Sequence, residues 1–185
     1  MLRMNRKMSQ LILIDIQDKV IAPIGDAARL TEVLARLVKI AQRLDVPVTA
    51  TEHYPKGLGR TVEGLRREFA ANTPILQKLH FSCLGDEALR HHLEDLRDLG
   101  RGQAVVAGIE AHVCVTQTVL DLIVDGYQVF IVADAVASRA TESRDIALQR
   151  LRQAGASIVD SEMVMFEWLE MSGTPEFKDL LPLIK

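Results

Sequence analysis

Aromatic residues are scarce in this chain, because Phe, Trp and Tyr together make up 4% of its 185 residues. A buried core must therefore be built mainly from Val, Ile, Leu, Ala and Met. Cysteine is also scarce, and two residues, Cys83 and Cys114, are too few for the disulfide framework of a small secreted protein. We expect both to be free thiols in a reducing, cytoplasmic compartment.

Long apolar runs and an excess of basic charge are lacking as well. No stretch of about 18 apolar residues occurs, so we expect no helix that crosses a membrane. The basic residues before Leu11 lead directly into the run LILID, which is too short for the apolar region of a signal peptide. The formal net charge of −3 gives no reason to expect nucleic acid or an acidic membrane as a partner.

Apolar residues are abundant, at 48%, and they alternate between short runs and helix-period segments. This content suffices for one buried core, and we predict a single domain over residues 1–185. Six apolar runs predict strands, at 11–15, 46–51, 74–78, 103–108, 128–134 and 157–160. Four amphipathic segments predict helices, at 31–44 with Thr31 as N-cap, 86–100, 112–125 and 141–155. The order predicts an α/β layer fold with a mainly parallel sheet.

Three chemically reactive residues lie where predicted strands end. Asp15 ends the first strand, Lys78 ends the third, and Cys114 follows the strand at 103–108 at the start of a helix. Ligands of open parallel sheets bind beyond the carboxyl ends of the strands, so we expect these residues on one edge. The helix N-terminus and the ammonium of Lys78 are expected to favour a Cys114 thiolate. Asp15 would take the thiol proton during attack on an acyl carbon.

Each of these residues also has an ordinary structural interpretation. A buried cysteine is usually inert, an aspartate after a strand often only makes a turn, and a lone lysine is usually solvated. His112 does not pair with Cys114 in this interpretation, because two residues earlier on a helix it points away from the thiol. A redox pair of Cys83 with Cys114 stays open, although neither belongs to a C-x-x-C motif.

Three segments resemble the isochorismatase-like cysteine hydrolases: LILIDIQDKV (11–20), LQKLHFSCL (76–84) and VVAGIEAHVCVTQTVLDLIVDGYQVFIVADAVASR (105–139). The last of these, together with TEHYPKGLG (51–59), is most similar to the isochorismatase domain-containing subgroup. The resemblance implies a Rossmann-like three-layer α/β/α sandwich around a central, mainly parallel sheet of six strands. It also implies that Asp15, Lys78 and Cys114 form a catalytic triad.

The resemblance implies further details of the site. A non-proline cis peptide is expected at Ile109–Glu110, with the N–H groups of Glu110 and Cys114 as the oxyanion hole. Nicotinamidases of this superfamily hold a metal after the second strand, but here Glu52 and His53 are adjacent there and point to opposite faces. We therefore predict no metal and no cofactor.

Five residues are predicted to bind the substrate: Gln17, His53, Tyr54, Phe81 and Ile109. Gln17 shares a face with Asp15 in an extended segment, although its side-chain amide equally suits hydrogen bonding to the backbone of a loop. His53 and Tyr54 precede a Gly/Pro-rich loop that either roofs the pocket or simply turns, and Phe81 either packs on a planar substrate or belongs to the core.

The most specific prediction is a hydrolase that cleaves a C–N bond of a small amide or carbamoyl compound. The alternative is a binding or scaffolding protein that keeps the family pocket with little or no turnover. In either case the expected ligand is a small molecule. We also expect a homo-oligomer, with Trp168 and the terminal helices as apolar contact surface.

Overall fold

The computed structural model describes residues 3–183, and its central element is one six-stranded sheet. The strand order is β3-β2-β1-β4-β5-β6, and every neighbouring pair is parallel. The bounds are β1 Ser9–Ile14, β2 Val48–His53, β3 Ile75–Lys78, β4 Gln103–Ile109, β5 Gln128–Ala137 and β6 Ser157–Val159. All six predicted strands are present, and the prediction of a parallel α/β sheet is confirmed.

Helices connect the strands and follow the last one. Their bounds are α1 Asp18–Ile21, α2 Ala27–Arg43, α3 Pro55–Leu58, α4 Glu63–Arg66, α5 Glu87–Asp98, α6 Thr116–Val124, α7 Thr141–Gln153, α8 Ser161–Leu169 and α9 Pro175–Leu180. One π-helical turn, Ala111–Val115, precedes α6, and 3₁₀ turns occupy Cys83–Gly85 and Leu181–Leu183. Within residues 3–183 none of these helices is long and apolar enough to span a bilayer.

Both faces of the sheet are covered by helices. Along β1, Leu11 and Leu13 pack into a core shared with α2 and α8, whereas Ile12 and Ile14 pack into a second core shared with α5, α6 and α7. Every residue of β1 is therefore buried, as expected for a parallel strand between two helical layers. The predicted three-layer α/β/α sandwich is confirmed.

Two local predictions were wrong. Helix α2 begins at Ala27, so Thr31 lies inside it, where its hydroxyl donates to the carbonyl oxygen of Ala27 at 2.8 Å instead of capping the helix. The residues before Thr31 are good helix formers and extend the helix by a turn. Trp168 offers no contact surface, because its ring is fully buried and its Nε1 donates to Ser9 Oγ at 2.9 Å.

The strand order reverses between β1 and β4, which creates a crevice beyond their carboxyl ends. Gly108, next to the end of β4, allows the two strands to meet closely there. A Cβ atom at this position would lie 2.2 Å from the carbonyl oxygen of Ile14, and its φ of +128° is one that other residues rarely adopt. The crevice therefore opens next to Asp15 on one side and the turn that carries Cys114 on the other.

Candidate active site

Asp15 follows the last residue of β1 in a left-handed conformation, with φ +54°. Its side chain is 1% exposed. Thr51 on the neighbouring strand β2 fixes it twice: the threonine hydroxyl donates to Asp15 Oδ1 at 2.6 Å and accepts the Asp15 backbone N–H at 3.2 Å. The carboxylate orientation is thus determined by the adjacent strand.

Lys78 ends β3 and reaches under the crevice to Asp15. Its Nζ donates to Asp15 Oδ2 at 2.6 Å and to the backbone carbonyls of His80 at 3.2 Å and Phe81 at 3.0 Å. Burial lowers the pKa of Lys78, but the charge of Asp15, the two nearby cysteines and the hydrogen bond to Asp15 together outweigh this effect, so the pKa lies above its ordinary value. The three N–H groups of the ammonium each have a protein acceptor, and Lys78 is held as a charged counter-ion of Asp15.

Cys114 lies in the π-helical turn that connects β4 to α6, and it is 6% exposed. The thiol pKa is raised, first by burial and then by the negative charge of Asp15 and hydrogen bonding with its carboxylate; the charge of Lys78 opposes these effects. The expectation of a resting thiolate is therefore wrong. The partial charge of a helix N-terminus and one shared ammonium do not offset the loss of water and the nearby anion. At neutral pH the residue is a thiol whose proton is directed to Asp15.

Cys83 is a second thiol near this group, and it is completely buried. Its backbone N–H donates to Thr118 Oγ1 at 3.0 Å. Burial, together with the charge of Asp15, raises the pKa of the thiol to about 12. Both cysteines are free in the structure, and Cys83 has no exposed surface from which to react with a ligand.

A cavity of about 430 Å³ opens in front of the Cys114 thiol. Acidic, basic and apolar side chains all contribute to its wall, which is lined by Asp15, Lys19, Val20, Pro23, His53, Leu58, Phe81, Ile109, Glu110, Val113, Cys114 and Arg139. The volume suits a small organic molecule. Asp15 and Cys114 thus both line one cavity at the switch point of the sheet, and Lys78 is bound to Asp15.

Three of the five predicted binding residues line this cavity: His53, Phe81 and Ile109. The rings of His53 and Phe81 form a tilted pair with centroids 5.3 Å apart. Burial, followed by the nearby charge of Lys78, lowers the pKa of His53, which leaves the imidazole neutral at pH 7. This part of the wall is aromatic and uncharged.

Gln17 and Tyr54 do not line the cavity, which corrects the prediction for both. The Gln17 amide is fully buried; its nitrogen donates to the carbonyls of His53 and Gly59, and its oxygen accepts the His53 N–H at 2.7 Å. It therefore ties α1 to the loop after β2. Tyr54, with φ +40°, turns its ring over Gly57, where an added Cβ would lie 2.2 Å from the ring. With this backbone conformation, the Tyr54 side chain lines a separate groove.

Glu110 follows a cis peptide at Ile109–Glu110, the position that the resemblance implied. Its carboxylate accepts bonds from Arg139: the backbone N–H and Nε at 3.0 Å and Nη2 at 2.8 Å. Burial alone would raise the pKa of Glu110, but these bonds hold it below the ordinary value. Arg139 was missed in the sequence because no motif connects it with Glu110, which lies 29 residues earlier.

Neither His112 nor Glu52 takes part in the cavity wall. His112 Nδ1 lies 2.9 Å from Ser138 Oγ. Glu52 Oε1 accepts the backbone N–H of Thr61 at 2.7 Å and its hydroxyl at 3.0 Å, so the carboxylate is used to hold the loop. Within residues 3–183 no group of three His, Cys, Asp or Glu side chains has a geometry suited to a metal ion.

The sheet order and the Asp, Lys and Cys side chains at its switch point define an α/β protein with a thiol-containing site for a small molecule. A model of the isochorismatase domain matches residues 9–163, and the chain belongs to the isochorismatase family. Human isochorismatase domain-containing protein 2 is 38% identical over 177 residues, which cover 96% of this chain and 83% of the human protein. The resemblance found in the sequence is confirmed.

Solved structures agree with the fold. The MAR1 ribonuclease from Caenorhabditis elegans superposes with a TM-score of 0.91 and 37% identity, covering 99% of this chain and 92% of that one. YcaC from Escherichia coli, described as an octameric hydrolase of unknown specificity, has a TM-score of 0.89 and covers 99% of this chain and 91% of that one. At 22% identity the second comparison shows the fold alone.

Proposed function

We propose that this protein is a cysteine hydrolase that cleaves a C–N bond of a small amide or carbamoyl-type compound. The proposal rests on one observation: Asp15, which forms a buried ion pair with Lys78 at 2.6 Å, shares the wall of one cavity with the Cys114 thiol. Family membership supports hydrolase chemistry in general. The substrate class and the residue roles are our inference.

In the first half-reaction Cys114 Sγ attacks the carbonyl carbon while Asp15 accepts the thiol proton. The carbonyl oxygen becomes an oxyanion, for which we propose the backbone N–H groups of Glu110 and Cys114 as donors. The intermediate collapses as the C–N bond breaks, and Asp15 returns its proton to the leaving amine. The product is a thioester on Cys114 and free ammonia or amine.

In the second half-reaction water attacks the thioester carbon and Asp15 accepts a proton from it. The C–S bond breaks, the sulfur recovers the proton, and a carboxylic or carbamic acid leaves. Lys78 stays charged throughout, and its attraction keeps Asp15 anionic between proton transfers. His53, Phe81 and Ile109 provide the aromatic and apolar wall that packs against the acyl compound.

The test is a screen of small amides, ureas and carbamates for release of ammonia or amine. Cys114→Ala is expected to reduce turnover at least about 10³-fold, because the nucleophile is lost, while the circular dichroism spectrum is unchanged. Cys83→Ala is the matched control and should retain most of the activity, because that thiol lies outside the cavity wall. Full activity in Cys114→Ala would refute the mechanism.

Ribonuclease activity is a second candidate, favoured by the name of the C. elegans relative. The small cavity and the formal net charge of −3 favour a small acyl compound instead, since polynucleotide binding usually relies on an extended basic surface. Incubation with a single-stranded RNA distinguishes the two. RNA cleavage that persists in Cys114→Ala would replace our proposal with a different activity.

We further propose that the chain is a single-domain homo-oligomer that works in the reducing cytoplasm. The free state of both cysteines supports the compartment, and YcaC, which shares the fold, is described as octameric. Light scattering of the purified protein tests the oligomer, for which a monomer mass is the contrary result.

A further inference from the structure

The charges around the cavity do not cancel. Its wall holds two carboxylates, and each is matched by a cation: Asp15 by Lys78 at 2.6 Å and Glu110 by Arg139 at 2.8 Å. Lys19 is a third cation in the wall. No carboxylate among residues 3–183 lies within ion-pairing distance of its ammonium. The cavity therefore carries one surplus positive charge.

This charge has a defined place. Lys19 lies on α1, and its Nζ donates to the carbonyl oxygen of Gly57 at 2.8 Å, which ties it to helix α3, whose Leu58 also lines the cavity. One of the three ammonium hydrogens is used in this bond, which leaves two for other acceptors. The side chain is exposed, so it can meet a ligand from the solvent side, whereas Cys114 is buried.

We propose that the substrate is a small monoanion, whose acyl carbon lies at Cys114 and whose negative group, a carboxylate in the simplest case, lies at Lys19. This inference rests on the proposed function, because it assumes that the acyl group is attacked by Cys114. It adds the charge of the substrate and a residue that selects for it. Lys19 is a binding residue in this account and takes no part in bond cleavage.

Two alkylating reagents of nearly equal size test the charge preference without knowledge of the substrate. Iodoacetate and iodoacetamide each form an S–C bond with Cys114 and release iodide, but only the first is an anion. The rates are measured at pH 9 with the site located by mass spectrometry. Because both reagents attack the same sulfur at the same pH, the fraction of thiolate cancels in the ratio of the two rates.

Lys19→Gln is expected to lower the iodoacetate-to-iodoacetamide ratio about three- to tenfold, the size of one unit charge acting across a small, partly desolvated cavity. Lys19→Arg should keep the ratio. Lys56→Gln is the matched control, because Lys56 lines a separate groove, and should leave the ratio unchanged. High salt should reduce the difference between the original protein and Lys19→Gln.

The outcomes separate this inference from the proposed function. If both reagents label Cys114 and Lys19→Gln leaves the ratio of their rates unchanged, the charge preference is overturned but the proposed function is not. Failure of both reagents to label Cys114 overturns both, since the thiol would then be out of reach of any small molecule. An equal fall of the rate ratio in Lys56→Gln also overturns the charge preference at Lys19, because the effect would then come from the general electrostatic field of the surface.

Discussion

Removing one partner of the Lys78–Asp15 pair should destabilise the protein far more than removing both. Lys78 and Asp15 are at most 2% exposed, and their charged atoms lie 2.6 Å apart. Lys78→Met leaves a buried carboxylate without its counter-ion, and Asp15→Asn leaves a buried ammonium. Each single change is expected to cost about 3–5 kcal/mol in the free energy of unfolding, the usual cost of an uncompensated buried charge.

The double variant, Asp15→Asn with Lys78→Met, removes both charges. Its loss should be smaller than either single loss, so the coupling energy between the sites must exceed one single loss and is expected to be about 3 kcal/mol or more. Urea unfolding followed by circular dichroism gives the three values, provided that the slope of the transition is unchanged. The exposed ion pair of Glu63 and Arg67, whose charged atoms lie 3.0 Å apart, serves as the control. Its coupling energy should stay below about 0.5 kcal/mol.

Additive losses at Asp15 and Lys78 would contradict the argument, because they would mean that the two charges do not stabilise each other. A double variant that is stable but has no hydrolase activity would fit the proposed role of the pair. Such a result would mean that the fold does not need the ion pair. The pair would then be retained because the reaction needs a fixed base.

Three further predictions concern neighbouring groups. Thr51→Val should slow turnover about tenfold or more, because it removes the 2.6 Å hydroxyl bond to Asp15, whereas Thr51→Ser should retain most of the rate; equal rates would show that the bond has no part in the reaction. Gly108→Ala should cost more than about 3 kcal/mol in urea unfolding, since its Cβ would lie 2.2 Å from a backbone oxygen; a loss below 1 kcal/mol would contradict this close approach. Alkylation of Cys114 by iodoacetamide should keep accelerating above about pH 10, because burial raises its pKa, whereas the thiolate fraction of a free thiol with a pKa of about 8.5 levels off near that pH; a plateau at or below about pH 10 would contradict a raised pKa.

Much of the fold could be predicted from the sequence, because alternation of apolar runs and amphipathic segments is a local signal. The six strands and the positions of Asp15, Lys78 and Cys114 at their ends follow from that pattern. The charge state of Cys114 does not follow from it, since it depends on burial and on the distance to Asp15, which are set by tertiary packing. The same reason explains why Gln17 was misplaced: its partners lie 36 and 42 residues away in the sequence.

Contacts between residues on different strands or loops could not be predicted from the sequence either. Thr51 lies on β2 among other small and polar residues, and nothing in its neighbours distinguishes it from a solvent-facing threonine. Its contact with Asp15 exists because β1 and β2 are adjacent and in a particular register, with Leu13 opposite Ala50. The roles of Arg139 and Lys19 likewise could not be predicted, because the loop with Arg139 and helix α1 with Lys19 line one cavity only in the folded chain.

A raised thiol pKa taken alone would favour the silent binding protein over the enzyme, but the geometry argues against that interpretation. A thiolate in the resting protein is needed only when no general base is nearby, and here the thiol is hydrogen bonded with Asp15, which is also held by Lys78. The proton can then move as the S–C bond forms, so the thiolate need not exist before substrate arrives. The same arrangement would protect the resting protein, because a neutral thiol reacts slowly with adventitious oxidants and electrophiles. An active enzyme should therefore show slow alkylation at pH 7 together with rapid formation of a thioester from its own substrate, a combination that an inert pocket cannot show.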